Sequence, residues 1–103
     1  MANNWQTGGV DNNWNTAGNW SDGVPTADDD VVLGAGDQAM TINADAVCRS
    51  FDASAYDNTI THNAGITLTI GDATAGAGNK ALAFNAGMTY TLGSGTTSAI
   101  SFI

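Results

Sequence analysis

The sequence has no glutamate, one lysine (Lys80) and one arginine (Arg49). With ten aspartates in 103 residues the net charge is −8. That balance excludes nucleic acid as a ligand, because phosphate contacts need clustered Lys and Arg. It also disfavours anionic membrane surfaces. The residues that usually furnish exposed helix faces (Glu, Lys, Arg, Gln) are almost missing, so the composition speaks against helices. A single cysteine, Cys48, rules out an intrachain disulfide. It sits between Val47 and Arg49 in a strand-like run and reads as a small buried hydrophobe. As a nucleophile it would need a base, for which the only histidine is His62. No apolar run is long enough to span a bilayer. The opening "MANNWQTGGVDNNW" lacks the basic start and apolar core of a secretory signal.

The polar positions hold Thr, Asn, Asp, Gly and Ser instead. Threonine suits a pleated sheet surface, and Asn, Asp and Gly suit turns. From Asp30 onward, strand-like phrases alternate with turns: "DVVLG", "AMTIN", "VCRSF", "NTITHN", "ITLTIGD", "ALAFN", "MTYTLG" and "AISFI". Ile66–Ile70 and Met88–Leu92 alternate apolar residues with threonine, the pattern of a half-buried strand. "NAGITLTIG" (63–71) and "NAGMTYTLG" (85–93) are identical at six of nine positions and lie 85 − 63 = 22 residues apart. Ile42, Ile60, Leu82 and Ile100 extend the ladder at steps of 18, 22 and 18, the Gly-rich "GDATAGAGNK" absorbing the difference.

A repeat near twenty residues with Gly/Asn/Asp corners predicts a short right-handed parallel β-solenoid. The two phrases would be rungs of one stack, Asn63 over Asn85 would form a corner ladder, and His62 would share Ile60's inward face with Phe84 as its counterpart. The alternative is a β-sandwich, whose strands resemble one another because all alternating strands do. "AISFI" begins another rung and the chain stops, so the expectation is a piece of something longer or a last rung that pairs with another chain.

Residues 1–29 differ. They hold all three tryptophans (Trp5, Trp14, Trp20) and the only proline among Asn, Gly, Asp and Ser. The segment reads as a cap folded over one end of residues 30–103, whose rungs take about 18–22 residues each. The rival reading makes these tryptophans an exposed binding platform. Asp28, Asp29 and Asp30 form the one acidic run. Its oxygens suit calcium, but consecutive carboxylates cannot all face one ion and the EF-hand spacing is missing. The run is expected to be a solvated turn, with no cofactor. The remaining aspartates lie in turn-like corners, and no two alternate on one strand as a glycosidase pair on a solenoid face would. No catalytic constellation emerges, and the chain is not expected to be an enzyme.

"NWNTAGNWSDGVPTADDDVVL" followed by "VCRSF" resembles the N-terminal signature of phage virion surface, fibre and decoration proteins with β-helical bodies. It is also similar to the openings of bacterial adhesin and passenger solenoids. The resemblance covers about residues 5–70. It implies a structural bacteriophage protein, a capsid decoration, head fibre or tail appendage, assembled in the host cytoplasm and displayed on the virion. The implied partners are other virion proteins such as the major capsid protein. The chain itself is a further expected partner, as a homotrimer, because three short solenoids can cover their apolar flanks on one another and closed rotational symmetry is common. Trp5, Trp14 and Trp20 are the candidate anchoring or capping surface. A secreted adhesin in an extracellular location, or a carbohydrate-binding module, are the alternatives.

Overall fold

The computed structural model describes residues 2–6, 8–71, 82–95 and 97–102. Ten short strands run β1 (Ala2–Asn4), β2 (Asp30–Val32), β3 (Met40–Ile42), β4 (Ala46–Cys48), β5 (Ser50–Ala53), β6 (Thr59–His62), β7 (Thr67–Ile70), β8 (Leu82–Phe84), β9 (Thr89–Leu92) and β10 (Ala99–Phe102). A 3₁₀ turn at Ala17–Asn19 is the only helical piece among the described residues.

The chain is all-β, and its strands form three short parallel sheets: β1-β2-β5-β8, β3-β6-β9 and β10-β7-β4. Each strand from β2 to β7 pairs with the strand three places further on, so successive triplets (β2–β4, β5–β7, β8–β10) put one strand into each sheet. Every pairing among the named strands is parallel. A sandwich, built from antiparallel sheets, does not describe this chain.

Register explains the core. Inward residues of successive triplets lie side by side: Val31, Phe51 and Leu82; Met40, Ile60 and Tyr90; Ile42, His62 and Leu92; Ala46, Leu68 and Ile100; Cys48, Ile70 and Phe102. The first two members of every column are buried. Threonine is the commonest residue at outward positions, at Thr41, Thr59, Thr61, Thr67, Thr69, Thr89 and Thr91.

The 22-residue spacing proves to be something other than the stacking period. Partner offsets are 20 for Val31–Phe51 and Met40–Ile60, 22 for Ala46–Leu68, and 30 to 32 where the interval includes 71–81. Residues 67–70 and 89–92 stand in different sheets, and Ile42, Ile60, Leu82 and Ile100 are not stacked partners. What repeats is a corner. Residues 63–66 join β6 to β7 and residues 85–88 join β8 to β9, each a four-residue turn between two sheets. Similar bends call for similar residues wherever they fall around the circuit. The glycines shared by the two phrases serve different needs. Gly65 sits at φ +79°, whereas Gly93 packs so closely on the 63–64 backbone that a Cβ would fall 2.4 Å from the Ala64 nitrogen. Asn63 and Asn85 therefore form no ladder; Asn85 Nδ2 instead donates to the Tyr56 carbonyl at 2.9 Å. His62 does share the inward face with Ile60, but its partners are Ile42 and Leu92 rather than Phe84.

"VCRSF" is two strands, with Arg49 alone forming the corner between β4 and β5. Of the "GDATAGAGNK" run only Gly71 is described; Asp72 and Lys80 lie outside the described residues.

The N-terminal segment covers the upper end of this stack. β1 adds a fourth strand beside β2, and Ser21 and Asn19 bond its far side through Ser21 N–H to Asn4 carbonyl and Gln6 N–H to Asn19 carbonyl, both at 3.0 Å. Over β3, Trp14 N–H donates to the Thr41 carbonyl at 2.8 Å and Thr41 N–H to the Asn12 carbonyl at 2.6 Å. Trp20 packs edge-on against Trp5 and Trp14, with ring centroids 4.9 and 4.8 Å away. Trp14 stacks nearly flat over Phe51 at 6.1 Å. Truncating Trp5 or Trp20 to alanine is expected to cost about 3–5 kcal/mol, much of a domain's total of roughly 5–15 kcal/mol. Val10→Ser, at a side chain 75% exposed, should change stability by less than about 0.5 kcal/mol. Urea titrations followed by tryptophan fluorescence check this; Trp5→Ala and Trp20→Ala curves overlying the parent would contradict it.

Candidate functional site

The tryptophans, whose sequence pattern suits a capping or anchoring surface, are inside the molecule. Trp5, Trp14 and Trp20 are 2%, 1% and 4% exposed, and no ring face is presented for a sugar or a partner to stack on. Two of the three indole N–H groups are spent internally: Trp5 Nε1 on the Gln38 carbonyl and Trp20 Nε1 on the Trp14 carbonyl, each at 2.8 Å. They fit the capping half of the sequence reading and not its anchoring half.

Two further groups lock the cap, and composition gave no hint of either. Gln38, in the corner after β2, takes Gly9 N–H on its side-chain oxygen at 2.9 Å and donates to the Asp11 carbonyl. Its own carbonyl receives both Trp5 Nε1 and the Tyr56 hydroxyl, the latter at 2.7 Å. Asn19 is fully buried and donates to Asp11 Oδ1 at 2.7 Å and to the Asn13 carbonyl at 2.9 Å. The Asn13 N–H and then the Asn19 side chain hold the Asp11 carboxyl below its ordinary range.

The acidic run does not converge. Asp29 Oδ2 accepts the Thr26 N–H at 2.9 Å, closing a local turn. Asp30 points elsewhere, its Oδ1 accepting from Arg49 Nε at 3.0 Å and from Ser50 Oγ at 2.7 Å, while Arg49 Nη2 bonds its Oδ2. This two-pronged pair ties the one-residue corner at Arg49 to the triplet above, and the Arg49 N–H does the same through the Asp29 carbonyl at 2.7 Å. Among the described residues no cluster of three His, Cys, Asp or Glu side chains is arranged to hold a metal ion. Asp29 and Asp30 of the run thus serve the turn and the corner.

Cys48 and His62 do not make a nucleophile and base. Both are fully buried. Burial, then the charges of Asp30 and Asp29, push the Cys48 thiol up to about 12, far from a thiolate at neutral pH. His62 has both ring nitrogens engaged: Nε2 lies 2.5 Å from the Ile66 carbonyl and Nδ1 lies 2.6 Å from the Tyr90 hydroxyl. A carbonyl only accepts, so Nε2 carries the hydrogen. The histidine is a polar brace across the core, and burial raises the Tyr90 phenol above its usual value. Asp37 and Asp57 spend a carboxylate oxygen each on the Gly34 and Gly36 N–H groups, at 2.7 and 3.2 Å.

What stays open is the lower end. β8, β9 and β10 each form an outer edge of their sheet. Phe84, Leu92 and Phe102 sit at inward positions, against Ala53, His62 and Ile70, yet they are 44%, 48% and 53% exposed. The sequence signals for them were ordinary core signals, because alternation reports which face a side chain takes and not whether another layer covers it. Comparison of the chain with protein-family models, curated proteins and solved structures returned no match.

The Asp30–Arg49 pair makes a pH-dependent expectation. Arg49 above all holds the Asp30 carboxyl well below its ordinary 3.8. A depressed carboxylate contributes stability that is complete above the unfolded value and disappears as pH falls toward the folded one, here from about pH 5 to about pH 2. Asp30→Asn should therefore be less stable than the parent at pH 7 and converge on it in acid, with Asp11 and Asp52 keeping part of the parent's acid slope. Urea midpoints measured between those limits check it; parallel curves for the two proteins would contradict it.

Proposed function

We propose that the chain is a short right-handed parallel β-solenoid of three coils with an N-terminal Trp-rich cap, and that it serves as a structural component of a bacteriophage virion. It would act as a capsid decoration, head fibre or tail appendage, by attachment and self-association rather than by catalysis. The strand-to-third-strand pairing supports the solenoid, and the right-handed rule for parallel crossovers supports its hand.

The observation that carries the structural role is the difference between the two ends. One is closed by buried tryptophans and backbone hydrogen bonds, while the other presents apolar side chains and unextended sheet edges. The carboxylates, thiol and imidazole discussed above are occupied in holding corners and core, which favours a building element over an enzyme. The flank formed by β6 and β9 carries exposed threonines at Thr59, Thr61, Thr89 and Thr91, so the apolar open end supports self-association better than that flank does. The partners of this reading are the chain itself and neighbouring virion proteins such as the major capsid protein, on the virion surface.

Immunogold electron microscopy with an antibody raised against the purified chain tests this, using lysates of the source culture. Gold is expected on the surface of phage particles. Label confined to the bacterial envelope or the medium, with particles unlabelled, would overturn it and favour the secreted adhesin.

A further inference from the structure

We propose that the open end formed by β8, β9 and β10 docks against the same end of a second copy of this chain, closing a two-fold symmetric dimer. The proposal deepens the self-association part of the function above and does not depend on a virion location.

Three observations converge on a second copy. The first is charge. Residues 82–102 contain no Asp, Glu, Lys, Arg or His, although the chain as a whole carries −8. Two copies approaching by any aspartate-bearing face repel each other, whereas the lower end can meet its own copy without juxtaposing side-chain charges.

The second is the exposed edge itself. Proteins that leave strand edges in water usually blunt them with lysine, proline or inward charges, and the last triplet has none of these. Instead Phe84, Leu92 and Phe102 crown the end, with Leu82, Met88, Tyr90 and Ile100 half-covered behind them against the core.

The third is the cap, which decides the geometry. Head-to-tail stacking would need a free upper end. There, β1 is already bonded on its far side by Asn19 and Ser21, and β3 by Asn12 and Trp14. Two of the three upper edges are thus taken and, among the described residues, only β4 keeps a bare one, whereas all three lower edges are bare. The contact that uses them all is tail-to-tail, which is isologous and closes at two copies. A two-fold axis perpendicular to the stack reverses the direction of travel, so the edges meet antiparallel. One edge strand pairs with its own copy, and the other two pair reciprocally. The six exposed side chains, three from each copy, then become a buried layer.

Sedimentation velocity on the full chain, from micromolar to submillimolar concentration, reads the outcome directly. The expected result is a reversible dimer of about twice the 10.4 kDa chain mass. Leu92→Asp and Phe102→Asp should each reduce the mass to that of one chain while leaving the circular dichroism spectrum near the parent's. Their urea midpoints should lose the concentration dependence that association gives the parent. Val47→Asp, at an exposed apolar site away from the open end, should stay dimeric. A parent that is monomeric throughout overturns the proposal, as does a trimer or an open-ended series. A dimer that survives both Leu92→Asp and Phe102→Asp also overturns it, by placing the contact elsewhere. A dimer with unlabelled virions would leave this interface standing and remove only the virion reading.

Discussion

Everything in this protein depends on keeping inward residues of one triplet directly beside those of the next. Parallel pairing with a side-chain period of two gives no tolerance for slippage. A shift of one residue would turn Met40, Ile42, Ile60 and His62 outward and bring threonines into the core. The columns Val31–Phe51, Ala46–Leu68 and Cys48–Ile70 provide the apolar burial. In the column between Ile42 and Leu92 a polar brace, His62, is tolerated because both of its nitrogens find partners.

The corners follow from that constraint. Each must return the chain to the next sheet in register, and the corners use several solutions. Arg49 turns a corner alone and is held by Asp30. Gln38 and Tyr56 occupy successive levels of another corner and share one carbonyl with Trp5. The aspartates, which make up most of the charged residues, do this work too: Asp11, Asp29, Asp37, Asp52 and Asp57 each accept backbone N–H groups. An acidic surface is thus a by-product of corner chemistry as well as a source of repulsion between chains. The cap meets a different demand, covering the first layer with three indoles because no earlier layer does so.

Much of this was legible in the residues. Alternation located β2, β3 and β6 to β10, and the compositional change near Asp30 separated the cap from the stack. The failures have physical causes. β1 is three residues long with an asparagine on each face, and only its pairing to β2 makes it a strand. The break at Arg49 lay hidden inside "VCRSF", although consecutive inward residues Ser50 and Phe51 are the trace of a bend. The near-identical phrases at 63–71 and 85–93 suggested a stacking period because like corners recur at different positions around the circuit. The tryptophans' burial, and the exposure of Phe84, Leu92 and Phe102, depend on what lies above and below them, which periodicity does not encode.

The central claim is that, from β2 onward, the strands pair with strands roughly twenty or thirty residues away, three places along the chain, and not with the next strand in sequence. Nuclear Overhauser contacts between backbone protons in solution test it most directly. The account requires cross-strand contacts for Val31 with Phe51, Met40 with Ile60, and Ala46 with Leu68, in the parallel pattern. Antiparallel contacts between sequence neighbours, such as β6 with β7 or β8 with β9, would contradict it.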